Sequence, residues 1–437
     1  MKDLNVCLLN DSFPPLIDGV GNAVVNYAEN IKKCGGRATV VTPSYPGVSD
    51  EAFPFPVVRY PSVDFSKFCG YRAGYPFDAK VLDRLNKENF DIIHSHCPIA
   101  STMLARALRE TTEKPLIFTY HTKFDIDIKN TIRSEKLQRL AIKVLVNNIE
   151  ACDEVWVVSN GAGENLRTLG YTGDYRVMEN GVDFARGRAD DAQIAEINAA
   201  HGIGEDEVVL LFVGRMMWYK GIRILLDAAR LLLNEGLHFR LMFVGEGGDF
   251  EEIKAYAETL RLGDACIFAG AQRDRERLRA YFCRATMFVF PSTFDTNGIV
   301  VREAAACGLA SMLIAGSCAA EGITDGRNGI FCEENAESAA RAMRFACKNP
   351  QVLREIGMHA MREIYISWET AVRAAYARYG EINAMHRAGA FKDSRRVPLD
   401  SVYGTLAELI KEFNRWRSLP ARKKDKTDEQ KGETSDA

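Results

Sequence analysis

At 437 residues the chain is too long for one ordinary hydrophobic core, so two domains plus extensions are expected. Its 47% hydrophobic and 26% charged content is that of a globular protein in water, and a net charge of −3 argues against a general nucleic-acid binder, which needs a basic face to neutralise phosphates. No apolar run reaches membrane-spanning length, and the opening MKDLNVCLLNDSFPP breaks early and carries Asp11, unlike a signal peptide.

In chain order, the first half alternates β-rich runs with helical patterns. Strands are expected at Val6–Asn10, Ala38–Thr42, Val57–Tyr60, Asp91–His96, Leu116–His121, Glu154–Ser159 and Tyr175–Glu179, with a helix over Gly21–Lys33. Phe184–Gly204, polar and rich in Ala and Asp, reads as a linker. The alternation restarts with strands at Val208–Val213, Arg240–Val244, Ala265–Ala269, Met287–Phe290, Ser311–Ala315 and Gly329–Cys332. Such alternation predicts an α/β fold of two tandem doubly wound, Rossmann-like domains, their parallel strands covered on both faces by helices. We place the domains at 1–190 and 200–362. After Asn349-Pro350 the sequence turns helical. Leu399, Val402, Leu406, Leu409, Ile410 and Phe413 mark an amphipathic C-terminal extension over Leu399–Leu419, and the charged stretch Ala421–Ala437 is expected to be disordered.

The eleven cysteines include no CxxC and no Cys/His set with zinc spacing. Several sit in apolar strands (Cys7, Cys266, Cys332), which fits reduced core thiols in a cytosolic protein.

Chemistry is expected where strands give way to helices. In Phe290–Gly308, FPSTFDTNGIVVREAAACG, an apolar strand ends at Pro291 and a helix begins after Gly298. Backbone N–H groups at Asn297, Gly298 and Ile299 would be free at that helix N-terminus, which suits an anion such as a diphosphate. Asp295 and Glu303 lie eight residues apart in the same stretch, a spacing that also fits a capping Asp and a surface Glu. Gly214–Gly221 places Arg215 and Lys220 around another strand-to-helix loop, either as solvated cations or as partners for a diphosphate gaining charge as it leaves. Gly19, in the loop before the first helix, allows close approach of backbone to ligand or marks a plain turn; it belongs to neither a GxGxxG nor a Walker motif. His121 falls at a strand's carboxyl end, where a structural role is the commoner one; His94 and His96 are unassigned.

These pieces, in this order, resemble the retaining glycosyltransferases of GT-B fold known as family 4. The similarity runs from Val6 to about Ile382 and is strongest in Gly214–Gly221, Val244-Gly245-Glu246-Gly247, Phe290–Gly308 and Glu321–Gly329. Ser367-Trp368-Glu369 is similar to the family's late tryptophan motif, which implies that about 365–420 returns to the first domain. The resemblance implies transfer of a sugar from a nucleotide-sugar donor, UDP- or GDP-linked, with retention at the anomeric carbon, no cofactor and no metal. It implies that Gly19 approaches the donor phosphates, that His121 contacts the sugar or assists at the reacting centre, and that Arg215 and Lys220 bind the diphosphate. Asn297, Gly298 and Ile299 would offer N–H groups, Asp295 would contact sugar hydroxyls, Glu303 would hold the ribose, and Glu246 would line the donor site. Asp295 stands where the family has glutamate, and Ser317-Cys318-Ala319-Ala320-Glu321 replaces its paired glycines.

Tyr120–Phe124 is similar to the corresponding stretch of bacterial diacylglycerol glucosyltransferases, and Lys129–Asn148 carries Lys129, Arg133, Lys136, Arg139 and Lys143 among apolar residues. That pattern fits a helix lying on an anionic membrane, or a domain helix with a solvated basic face. The leading expectation is a lipid acceptor and a cytoplasmic enzyme working at the inner face of the membrane. The alternatives are a soluble or polysaccharide-assembly sugar acceptor, a sugar-nucleotide epimerase of the same architecture, or a degenerate nucleotide-binding scaffold.

Overall fold

The computed structural model describes residues 3–16, 18–64 and 72–391. The expected helix at Leu399–Leu419 and the tail at Ala421–Ala437 lie outside the described residues.

The first lobe starts with β1 (Asn5–Leu9), α1 (Gly19–Lys33), β2 (Arg37–Pro43) and β3 (Val57–Tyr60). A short antiparallel hairpin follows, β4 (Ser62–Asp64) with β5 (Arg72–Gly74), then α2 (Ala79–Asn86), β6 (Ile92–Ser95), α3 (Ala100–Thr112) and β7 (Leu116–Tyr120). The lobe continues through α4 (Phe124–Thr131), α5 (Glu135–Glu150), β8 (Glu154–Val157), α6 (Asn160–Thr168) and β9 (Arg176–Val177). Seven of these strands pair in parallel in the order β3-β2-β1-β6-β7-β8-β9. Every residue of β1 and β7 is buried, as continuous apolar runs require when helices cover both faces.

The second lobe contains α7 (Asp191–His201), β10 (Val209–Val213), α8 (Ile222–Asn234), β11 (Arg240–Val244), α9 (Phe250–Thr259) and β12 (Cys266–Gly270). It is completed by α10 (Arg275–Arg284), β13 (Met287–Phe290), α11 (Ile299–Ala306), β14 (Ser311–Ile314), β15 (Ile330–Cys332), α12 (Ala336–Lys348) and α13 (Pro350–Glu363). Its parallel sheet runs β12-β11-β10-β13-β14-β15. In each sheet the order reverses beside the first strand, at β1/β6 and at β10/β13. Crevices beyond such points are where open α/β sheets take ligands.

Two sequence expectations change. The stretch read as a linker, Phe184–Gly204, holds α7, which is closed by a capping box of Asp190 and Gln193 and ended by Gly202 in a left-handed conformation. Its Ile194 and Ile197 join Phe184, Ala189 and Ile203 in the second core. Few apolar anchors among Ala and Asp hid the helix. The strands expected to reach His96, His121 and Ser159 stop short, which leaves all three in the loops beyond the sheet.

The last described helix, α14 (Trp368–Arg387), crosses back to the first lobe. Trp368, Val372, Tyr376 and Tyr379 are buried in the core that contains α1, and Tyr376 Oη accepts the Leu4 N–H at 3.0 Å. Among the described residues no helix is long and apolar enough to cross a membrane, and all ten described cysteines are free thiols.

Candidate active site between the lobes

The β10/β13 crevice is built from two loops. After β10 the chain turns through Trp218–Lys220 and reverses at Gly221, whose φ is +76° and where an added Cβ would lie 2.3 Å from the Pro291 carbonyl oxygen. Glycine is therefore required to seat the first loop against the end of β13. That contact places Lys220 against the second loop. Lys220 Nζ donates to both Asp295 oxygens, at 2.7 and 2.8 Å, and Ser292 Oγ donates to Asp295 Oδ2 at 2.5 Å. The ammonium also lies over the Phe294 and Phe290 rings, at 5.3 and 5.9 Å. Lys220 is only 6% exposed. Burial pushes its pKa below the ordinary lysine value, Asp295 pulls it back, and the Arg215 charge lowers it again. Arg215 is exposed and makes no ion pair among the described residues.

Beyond Asp295 the loop enters α11 through Gly298, in the left-handed region at φ +60°, ψ 48°. A Cβ there would come within 3.0 Å of Ala319, the small residue at the altered glycine pair. Among the described residues no acceptor meets the backbone N–H groups of Asn297, Gly298 and Ile299. They form a bare helix N-terminus in the loop that Lys220 binds through Asp295, an arrangement able to hold a diphosphate.

Glu303 lies further along α11, is 6% exposed and accepts from Arg275 at 2.5 Å. Burial raises its pKa, and Arg275 opposes the rise. Arg275, which the sequence reading missed, also approaches Asp183 at 3.6 Å and lies 4.4 Å over the Phe184 ring. It stands among Arg273, Arg277 and Arg279, so nothing in the sequence separates it from a solvated basic run. Glu246 is exposed and enters the local structure through its carbonyl, which accepts the Met216 N–H at 3.0 Å. Gly19 is the exposed first residue of α1, with open space where a Cβ would stand. Neither makes a hydrogen bond to Lys220, Asp295 or His121 among the described residues.

From the first lobe, His121 stands directly beyond β7 and is 6% exposed. Burial holds its pKa down at about 3, so the ring is neutral. His121 Nε2 pairs with His96 Nδ1 at 2.9 Å, and His94 packs on His96 with ring centroids 4.0 Å apart. Both unassigned histidines therefore stand behind His121. Among the described residues no three His, Cys, Asp or Glu side chains are grouped to hold a metal ion.

The lobes touch around this site. Thr296 Oγ1 donates to the His121 carbonyl at 2.6 Å, Ser159 Oγ donates to the Thr296 carbonyl, and Asn297 Nδ2 donates to the Val158 carbonyl. Glu321 accepts the Asn160 and Gly161 N–H groups at 2.8 and 2.5 Å, capping α6 from the other lobe. Arg302 reaches Glu179 at 2.6 Å. The loop that carries Asp295 is thus the loop that meets His121.

The basic helix expected at a membrane is α5 with the end of α4. Its Leu137, Val144, Leu145, Val146 and Ile149 are buried in the first lobe, while Lys129, Arg133, Lys136, Arg139 and Lys143 are exposed. Most of the apolar side is engaged by the protein, Leu140 and Ile142 being half-buried, and a basic band remains.

Known proteins agree with this architecture. Residues 17–186 match the model described as Glycosyltransferase Family 4, and residues 193–362 match Glycosyl transferases group 1. The chain is 26% identical over 429 residues to a GDP-mannose-dependent alpha-mannosyltransferase of Corynebacterium glutamicum, covering 94% of this chain and 95% of that one. It is 25% identical over 309 residues to an alpha-monoglucosyldiacylglycerol synthase of Streptococcus pneumoniae, covering 70% of each. Among solved structures, Anabaena HepE in complex with UDP superposes with a TM-score of 0.70 at 18% identity, over 86% of this chain and 100% of that one. Sucrose-phosphate synthase from Thermosynechococcus elongatus gives 0.70 at 22% identity, over 87% and 99%. The chain is a glycosyltransferase of GT-B fold, related to the family 4 enzymes.

Proposed function

We propose that the chain transfers a hexosyl unit from a nucleoside-diphospho-sugar to a hydroxyl of a carbohydrate acceptor, with retention at the anomeric carbon and without a metal. The observations that support this reading are the Lys220–Asp295 pair, which feels the Arg215 charge, and the unpartnered N–H groups of Asn297–Ile299 in the same loop, whose Thr296 meets the His121 carbonyl of the other lobe. The bond from the anomeric carbon to the diphosphate breaks with its electron pair on the phosphate oxygen, and Arg215, Lys220 and the α11 N-terminus stabilise that charge. The acceptor oxygen bonds the anomeric carbon on the same face and gives its proton to the departing phosphate oxygen. Asp295, now bound to Lys220, contacts the sugar once the diphosphate draws the ammonium towards itself, while Glu303 and Arg275 border the ribose. Gly19 and Glu246 line the donor's approach from the two sides.

A carbohydrate acceptor is favoured because Leu137, Val144, Leu145, Val146 and Ile149 of α5 are packed inside the lobe, which leaves the half-buried Leu140 and Ile142 of its apolar side near the surface, little to enter a bilayer. A lipid acceptor at the inner membrane face is the second reading. It is supported by the exposed basic band and by the relative in Streptococcus pneumoniae named for diacylglycerol.

The test is a panel of UDP-glucose, UDP-galactose, GDP-mannose and ADP-glucose, each offered with oligosaccharides and separately with vesicles containing diacylglycerol. Products are read for acceptor and anomeric configuration. An α-linked oligosaccharide from an α-linked donor is expected. Transfer to diacylglycerol alone selects the second reading, and a changed free sugar nucleotide formed without acceptor makes the protein an epimerase and sinks both.

A further inference from the structure

A buried histidine pair lies behind the first lobe's side of the cleft. His96 is 1% exposed and its Nδ1 lies 2.9 Å from His121 Nε2, so one proton occupies that contact. The nitrogen at the far side of His96 decides whose proton it is. His96 Nε2 is buried, and no protein group among the described residues hydrogen-bonds to it. Its ring is enclosed by His94, with centroids 4.0 Å apart, and by the edge of Tyr27 at 5.3 Å. His94 offers no help, because its own nitrogens are taken by Tyr379 Oη at 2.6 Å and Thr119 Oγ1 at 2.7 Å.

If His121 donated in the contact, neutral His96 would carry its proton on Nε2 as a buried N–H with nothing to receive it. Leaving a buried donor without a partner costs roughly 1–3 kcal/mol, and orphaned N–H groups are rarer than under-used acceptors. With the proton on His96 Nδ1, only an unused lone pair is buried. His121 Nε2 is then the acceptor, and the ring proton of neutral His121 must sit on Nδ1. That nitrogen has no protein partner among the described residues and is not one of the buried unpartnered atoms. The same residue's carbonyl is held by Thr296 of the facing lobe.

We propose that His96 is a positioning residue that fixes His121 as its Nδ1–H tautomer, so that His121 offers a neutral N–H to a sugar oxygen between the lobes instead of taking a proton. The ligand in that statement rests on the proposed transfer reaction; the tautomer does not.

The experiment is long-range ¹H–¹⁵N correlation on the full chain labelled with ¹⁵N-histidine, near neutral pH and without ligand. His121 is assigned from His121→Ala and His96 from its own variants. In the wild type, His121 is expected to show a protonated Nδ1 and a bare Nε2, and His96 the same. In His96→Asn, whose side-chain amide can donate from the place of Nδ1, the His121 pattern should persist. In His96→Ala it should revert to the Nε2–H form that free imidazoles favour. A second reading follows nucleoside diphosphate release from whichever of UDP-glucose and GDP-mannose is turned over. His96→Ala should lose about tenfold in kcat through the lost hydrogen bond, and His96→Asn should recover most of it. A protonated Nε2 on wild-type His121, or a tautomer indifferent to His96→Ala, overturns the proposal. If neither sugar nucleotide is turned over, the transfer reading fails while the tautomer result stands.

Discussion

The two sheets present equivalent crevices built from opposite materials. At β10/β13 the loops hold a buried ammonium, a carboxylate, an exposed guanidinium and bare backbone N–H groups. In the first lobe the groups around the end of β7 are three histidines whose pKa values burial drives down, leaving them uncharged at neutral pH, while the Asp11 carboxylate beyond β1 is taken up by the Ser101 N–H and hydroxyl and by Tyr60 Oη. One strand order thus supports a charged half led by cations and a half whose face at His121 is neutral. On the proposed function, the first receives a diphosphate whose charge grows during the reaction, and the second receives uncharged hydroxyls.

The largest effect should come from the charged half. Lys220→Ala is expected to lower kcat roughly 10²- to 10³-fold, the range for losing one group aimed at developing charge, as read by nucleoside diphosphate release. Removing one partner of a largely buried pair also destabilises the fold, by up to roughly 3 kcal/mol. Thermal unfolding of Lys220→Ala and of Lys220→Ala/Asp295→Asn separates the two effects. The double variant should regain stability but not rate.

In the neutral half, His121→Ala should cost about tenfold in kcat, the scale of one hydrogen bond. With its pKa near 3, wild-type His121 should contribute no limb to the rate profile between pH 5 and 8. A limb near pH 6.5 that disappears in His121→Ala would erase the contrast.

Alkaline titration sharpens it further. Because burial depresses the Lys220 pKa, the unfolded chain holds the extra proton between the folded value and 10.5. Stability therefore rises with pH across that window, while activity that needs the ammonium falls. Asp295→Asn removes the neighbour that raises the pKa, so its alkaline limb should move to lower pH. Chemical denaturation and kcat against pH check the two signs.

The smallest effect belongs to the contact between the halves. Glu321→Ala leaves the Ser159 cap on α6 but removes the acceptor of the Asn160 and Gly161 N–H groups, and should cost about 1 kcal/mol, seen as faster hydrogen exchange at Asn160 and Gly161 with little change in kcat at saturating donor.

The sequence made the two sheets legible, because a buried parallel strand must read as an apolar run and Met287–Phe290 and Arg240–Val244 leave little room for another assignment. Lys220 and the Asn297 loop were also legible as strand-end features. Their union was not: Lys220 meets Asp295 across 75 residues, through a reversal of strand order and the absence of a Cβ at Gly221. The histidine pair had a faint signal, since His96 and His121 each directly follow neighbouring parallel strands. Nothing in the chain marks Arg275 as the partner of Glu303. The helix in Phe184–Gly204 could have been found from Asp190 and Gln193 at capping-box spacing.

Calorimetric titration of UDP and GDP into the wild type, Lys220→Ala and His121→Ala at fixed salt addresses the division of labour most directly. At least one nucleotide should bind the wild type, at least about tenfold more weakly to Lys220→Ala for the lost charge-assisted contact, and unchanged to His121→Ala. Equal weakening in both variants, or binding indifferent to Lys220, would contradict that division.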